Sequence, residues 1–458
     1  MIDIITFCIY IIILLFLGWR SKVKNPTQEE FLLSNRSLSL PALVATLVTT
    51  WYGGILGIGE FIYFNGISTW IIFGLPYYFF AALFAFFLAP KIRSAKYISI
   101  PDLLYQNYGK PAGFIGSIFV MLITSPAPYI LITAILISYM LGVSLFISLI
   151  FAALFSVAYV FKGGFNSVVQ TDKLQFILMF GGFLFLLVFL IAEYGSPIAN
   201  FNQLDASHKS FSGNLSIQSI FVWFLIASWT FIDPGFHQRT AAAQSPQTAK
   251  KAILISIFFW FIFDMLTLWT GIYAVSILQN TEPLMIYPDI AEHVLPPVLK
   301  SLFIIGLLAT AMSTTDSFSF ISAQTFGRDI IAFLNKKNSD MEITHYTQLG
   351  LAVTVITALL MIWILPSIVE MWYTLGSLFL PPLLIPISTA LFGSKQLNGK
   401  NTVLLMLLSF FVTLGWFIWG IFNENDYTLD LEPFIPGLII SVIIYITSRR
   451  KITHSAEH

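Results

Sequence analysis

The stretch "TTWYGGILGIG", residues 49–59, decides how this chain is read. Gly53, Gly54, Gly57 and Gly59 fall within seven positions of an apolar block that runs from about 40 to 64. Glycine lacks a Cβ and weakens a helix, so the block predicts a helix with a break. A small-residue packing face is the plain alternative. A second interruption stands at "SWTFIDPGFHQR", residues 228–239. There Pro234 removes a backbone donor and Gly235 admits unusual dihedrals; an ordinary proline kink is again the plain alternative. The two blocks lie five apolar blocks apart, so a second copy of a five-helix unit must be inverted relative to the first. Interrupted helices at matching positions of two inverted halves point to a solute site near the bilayer midplane.

The remaining composition supports a membrane protein. The chain is 57% hydrophobic and 10% charged, against about 25% charged in soluble domains. Its apolar blocks are about 20 residues or longer, enough to span a bilayer as helices. Thirteen candidate spans lie at about 2–19, 40–64, 68–90, 112–141, 143–161, 166–192, 216–241, 248–277, 298–332, 343–365, 368–393, 400–422 and 433–448. The first, "MIDIITFCIYIIILLFLGW", reads as a span and not as a cleaved leader. The single cysteine, Cys8, excludes an internal disulfide.

The expected class is an all-α polytopic membrane protein. Residues 1–30 form a peripheral first helix and a loop, residues 31–395 a core with repeats at about 40–192 and 216–393, and residues 396–458 two further helices and a tail.

Orientation follows the basic residues. Of the 23 Lys and Arg, all but Lys209 and Lys300 are in or beside the connections after odd-numbered spans and the C-terminal tail. Arg20, Lys22, Lys24, Lys91, Arg93, Lys250, Lys251, Lys336, Lys337, Arg449, Arg450 and Lys451 are examples. The opposite loops carry acids: Asp205, Glu282, Asp289, Glu292, Glu424, Asp426 and Asp430. This predicts an outside N-terminus, a cytoplasmic C-terminus and residence in the plasma (inner) membrane. The sequence shows no phosphate-binding Gly-rich loop, zinc spacing or catalytic triad. Neither an ATP-driven pump nor an enzyme is expected, nor a nucleic-acid partner.

Ionisable groups inside spans are costly and mark ion or solute paths. Glu60, Asp172, Asp233, Asp264, Asp316 and Arg239 qualify by depth. Asp316 stands in "ATAMSTTDSFS", residues 309–319, where Thr310, Ser313, Thr314 and Ser317 follow the spacing of one helical face. Lone hydroxyls usually bond their own helix carbonyls, the expectation for Thr315 and Ser319. Four on one face suit a hard cation that takes oxygen ligands. Asp264 is expected to be a protonated carboxyl bonded to a neighbouring helix. Glu60 is expected at the entrance, and Arg239 at lipid headgroups or on carbonyls at the inner end of its span. Pro381 and Pro382 suggest a bent helix.

Three sets of motifs resemble the sodium/solute symporter family, which has a LeuT-like fold. They are "GGFNSVVQTDKLQ" (163–175), "LLATAMSTTDS" (307–317), and the pair "TTWYGG" and "DPGFHQRTAAAQS" (233–245). The resemblance implies a sodium site joining the Thr310 carbonyl and the Ser313 and Thr314 hydroxyls to carbonyls of the first broken helix. Those carbonyls belong to Thr49 and Tyr52 if Trp51 is placed on the family's frequent Thr-Trp. A register anchored on Gly66 gives Leu47 and Thr50 instead. The resemblance also implies a second site between Asp172, Asp316 and Ser317, holding either a cation or a proton, because two close acids do not readily both ionise.

The solute is expected between Trp51, Gly53 and Gly54 on one side and Trp229, Thr230 and Asp233 on the other. The expected function is Na⁺-coupled import of a small organic solute. The alternatives are a proton-coupled carrier of the same fold and a membrane-embedded solute sensor that does not transport.

Overall fold

The computed structural model describes the chain apart from residues 22–26, 96, 159, 279, 336–338, 394, 424–430 and 452–458. Lys22, Lys24, Lys336, Lys337, Glu424, Asp426 and Asp430 lie outside the described residues. Among the described residues the fold is almost entirely helical, with a two-residue pairing of Lys395–Gln396 with Arg450–Lys451 and an isolated bridge between Leu38 and Ala243. Among the described residues ten helices are long and apolar enough to cross a membrane. The pair α2 (Leu40–Trp51) and α3 (Ile55–Asn65), which follows α1 (Ile2–Arg20), bends by 54° and makes an eleventh span if read as one. A count of thirteen requires two shorter apolar helices, Leu145–Phe155 and Phe434–Ser448, to be spans as well.

The site is positioned by a few of these helices. They are α4 (Val160–Tyr194), α5 (Ile217–Ile226), α6 (Pro234–Ala242), α7 (Pro246–Ile277), α8 (Pro297–Gln324) and α9 (Ile368–Phe392). Helix α8 is the axis of the core, with every residue from Phe303 to Gln324 buried. A helix enclosed on all sides needs no lipid-facing stripe, which explains how it accommodates so many Ser and Thr. Helix α4 lies along α8 over a long contact, and α2 fits against both α4 and α7. Close approach rests on Gly306, where a Cβ would meet the Leu178 carbonyl oxygen at 2.9 Å.

Both interruptions occur where the glycines and the proline place them. Helix α2 ends at Trp51, and Tyr52–Gly54 form a turn before α3. Helix α5 tightens into a 3₁₀ turn at Ala227–Phe231, and α6 restarts after Asp233 with Pro234 at its first position. Proline is suited to that position because its missing N–H has no intrahelical partner there. Helix α9 stays continuous through Pro381, Pro382 and Pro386.

Candidate functional site

The two breaks satisfy their freed backbone groups in different ways. In the second, the partners are local. Asp233 Oδ1 accepts from the Phe236 N–H at 2.7 Å and caps α6. The His237 ring nitrogen Nε2 lies 2.9 Å from the Phe231 carbonyl oxygen and donates to it when protonated there. In the first, the Tyr52 N–H bonds locally to the Thr49 carbonyl, and the other partners come from other helices. The Thr314 hydroxyl of α8 donates to the Thr50 carbonyl at 2.8 Å. The Tyr52 hydroxyl reaches α7, 2.8 Å from both the Trp260 carbonyl and Asp264 Oδ1. Asp264 also accepts from the Tyr78 hydroxyl, so this carboxyl is bonded to neighbouring helices as its depth predicts.

Glycines of the first break permit direct contact. A Cβ on Gly53 would stand 2.2 Å from Thr314 Oγ1, and one on Gly54 would stand 1.9 Å from the Trp372 ring of α9. Gly53 therefore faces Thr314, and it is not among the residues lining the cavity described below. Thr230 does not line it either; its hydroxyl is buried and returns to the Ala227 carbonyl.

Oxygen atoms from α2 and α8 gather beside the first break. Besides the Thr314–Thr50 bond, Thr50 Oγ1 lies 3.4 Å from Ser313 Oγ and 3.3 Å from Ser317 Oγ. Thr50 belongs to the register anchored on Gly66. In the other register, the Thr49 carbonyl accepts from the Tyr52 N–H at 3.3 Å. The Thr310 hydroxyl bonds the Gly306 carbonyl at 2.7 Å, leaving its own carbonyl as the group it can offer. Thr315 back-bonds to Ala311 as expected, whereas buried Ser319 Oγ has no hydrogen-bond partner among the described residues.

A charged core adjoins this cluster. Asp172, wholly buried, accepts from Ser313 Oγ at 2.6 Å and from the Thr46 hydroxyl. Its counter-charge is Arg239: Nη2 lies 3.6 Å from Asp172 Oδ2 and donates to Thr50 Oγ1 and Ser317 Oγ, both at 2.6 Å. Nε reaches the carbonyl and hydroxyl of Thr46 at 3.2 and 3.0 Å.

Arg239 is 1% exposed, which corrects its expected place at the headgroups. The break is the reason. Six residues beyond the Asp233 cap advance a helix by only about 9 Å, so Arg239 is still at core depth and reaches back to α2, α4 and α8. The positive charge between Asp172 and Ser317 is thus a guanidinium. Asp316 is also wholly buried, and Asp316 and Asp172 are both within electrostatic reach of Tyr10 on α1.

Between the breaks lies a cavity of about 130 Å³. Trp51, Gly54, Trp229 and Asp233, all expected from sequence, line it. The structure adds Tyr77, Tyr129, Phe236 and Trp372, together with Asp264 and Arg239. Trp51 packs edge-on against Tyr77 and Phe236, with centroids 4.8 and 5.7 Å away. Tyr129 lies 6.5 Å from Trp372. Of the added aromatic residues, Trp372 sits in an unbroken helix and Phe236 beyond the cap, while Tyr77 and Tyr129 follow breaks at Gly74 and at residues 124–126.

Two broken helices enclosing a polar-capped cavity define a transporter of the LeuT-like fold. In shape the chain is similar to a Na⁺-coupled sialic acid symporter in a substrate-bound outward-open state: TM-score 0.80, 17% identity, and 99% of each chain covered. A nucleobase-cation-symport transporter in a closed conformation shares the fold at a TM-score of 0.60, with 11% identity and coverage of 93% and 96%. The model of the sodium:solute symporter family matches residues 31–398, and the chain belongs to that family. The human high affinity choline transporter 1 is 25% identical, over 95% of this chain and 79% of its own. An osmoregulated proline transporter of Bacillus subtilis is 23% identical, over 98% and 95%. These relatives are transporters, and this chain is an integral multi-pass membrane protein of their kind.

Proposed function

We propose that this protein is a Na⁺-coupled symporter that imports a small organic solute by alternating access. The observation that carries the reading is the contact of Thr314 with the Thr50 carbonyl and with Gly53, right at the turn that walls the cavity. The Ser313 and Thr314 hydroxyls, the Thr50 carbonyl and the Thr310 carbonyl form a neutral oxygen set of the kind a hard cation takes. A Na⁺ there replaces the direct hydroxyl–carbonyl bond and ties α2 to α8. Ion and solute then favour one arrangement of the same turn, and that differential binding is the coupling.

Arg239 takes the place of a second cation beside Asp172 and Ser317, so one Na⁺ accompanies each solute. The proton-coupled alternative assigns the work to Asp172, Asp316 or Asp264. Orientation follows the basic loops, with the N-terminus outside and the C-terminus cytoplasmic.

Uptake by proteoliposomes, with Na⁺ replaced by K⁺ at fixed pH, is the test. The expected result is loss of concentrative uptake with K⁺ and a Na⁺ dependence with a Hill coefficient near unity. Full uptake in K⁺, driven by an imposed pH gradient, would move the coupling to the carboxyls.

A further inference from the structure

We infer that the solute is a compact organic cation, an alkylated ammonium without an anionic group. This rests on the symport reading above and adds the chemistry of the pocket. The first observation is the wall. Trp51, Tyr77 and Phe236 form one group of rings in the lining, and Tyr129 and Trp372 form a second on other helices. All but Phe236 are incompletely buried, so part of each of those rings is open. Aromatic rings on more than one side of a cavity attract a cation through their negative faces, and cages of this sort recognise quaternary ammonium groups.

The second observation is the charge. The ionisable groups that line the cavity are Asp233, Asp264 and Arg239. Arg239 is the one cation among them: Asp172 balances its charge, Nε and Nη2 donate to Thr46, Thr50 and Ser317, and Nη1 lies 3.5 Å from the Gly235 carbonyl. No lysine lines the cavity. A carboxylate or phosphate on the solute therefore competes with Asp172 for the one side-chain cation at the wall, while Asp233 stands there as a negative group. Asp233 keeps one oxygen on the Phe236 N–H, which fixes the carboxylate's position at the cavity edge.

The test compares three probes of nearly one shape on the full-length protein in nanodiscs containing Na⁺. They are choline, its uncharged carbon isostere dimethylbutanol, and the zwitterion glycine betaine. Isothermal calorimetry is expected to show choline binding tighter than either by about tenfold or more, from cation–π attraction and one charge contact. Asp233→Asn keeps the helix cap, since Asn caps as well as Asp, and is expected to erase most of the preference for choline over dimethylbutanol. Thermal melting of the variant checks that the fold is kept.

Dimethylbutanol binding as tightly as choline, betaine binding more tightly, or an unchanged preference in folded Asp233→Asn overturns the assignment. If no probe binds while Na⁺ still supports concentrative uptake from a mixture of sugars and amino acids, the cation assignment fails and the symport reading stands. If Na⁺ supports uptake of nothing in that mixture or among the probes, the symport reading fails.

Discussion

The breaks between α2 and α3 and between α5 and α6 occupy corresponding places in the chain but are held together by opposite means. The second closes on itself: Asp233 caps Phe236, and His237 turns back to Phe231. The first depends on its neighbours, with Thr314 on the Thr50 carbonyl, Tyr52 against α7, and bare glycines against Thr314 and Trp372. A self-capped break keeps its shape when the surrounding helices move. A break held by neighbours changes shape whenever α8 or α9 shifts, which makes the first break the responsive element and the second the fixed frame. Arg239 joins the two, extending from α6 to Thr46 and Thr50 of α2.

Removing that joint gives the largest expected effect. Arg239→Leu leaves Asp172 as a buried charge without its counter-charge, a change that costs roughly 3–5 kcal/mol. A large fall in melting temperature is expected, with much of it recovered in the double variant Arg239→Leu/Asp172→Asn. A single variant that melts like the native protein would show that the two breaks are not held together through this pair.

Next come the glycines. Gly53→Ala drives a methyl to 2.2 Å from Thr314 Oγ1, overpacking of a kind that costs about 1–3 kcal/mol. In Gly235→Ala the nearest atom is the neighbouring Asp233 Oδ1 at 2.9 Å, so the fixed frame is expected to lose less. Adding Thr314→Gly to Gly53→Ala should relieve the contact with Thr314 but not that with Tyr129 Cδ1 at 2.8 Å, and should not restore the Na⁺ response. Equal losses at Gly53 and Gly235 would erase the contrast between the breaks.

The smallest effects separate binding from scaffolding. Thr314→Ala is expected to raise the Na⁺ concentration for half-maximal uptake about tenfold, as one lost ligand is worth roughly 1–3 kcal/mol. His237→Ala should lower stability, from one lost hydrogen bond and the space left by a buried ring, and leave the Na⁺ concentration dependence as it was. Should His237→Ala shift the Na⁺ dependence as far as Thr314→Ala does, the second break is as responsive as the first.

Much of the frame was legible in the sequence because its signals are local. Apolar block length marks the helices, and Gly53–Gly54 and Asp233–Pro234 mark the breaks to within a residue or two. Trp51, Trp229 and Asp233 were readable as cavity residues since they adjoin those breaks. Arg239 was misplaced because span length alone sets it at the inner end; the break shortens α6 and keeps it at core depth. Had the acid at Asp172 been asked for a partner, Arg239 was the one buried-span cation available. Trp372 was not legible, since it lies in an uninterrupted helix and reaches the cavity only through tertiary packing, whereas Tyr77 and Tyr129 follow breaks at Gly74 and at residues 124–126 that were not singled out from the sequence. Gly53 was assigned to the right turn but not to the right side of it, because a glycine carries no side chain whose direction a helical wheel can project.

The pairing of Asp172 with Arg239 has an electrical consequence. A carrier that has released its cargo must reorient empty, and an ionised acid left alone in the core would then be a charge moving within the membrane field. Here the acid travels with its own counter-charge, and the pair is neutral in both directions. Membrane voltage, worth about 2.3 kcal/mol per charge per 100 mV, therefore acts at this point of the core on the cargo and not on the empty protein. In the proposed Na⁺-coupled cycle, voltage should speed the loaded stroke and leave the Asp172–Arg239 pair out of the return.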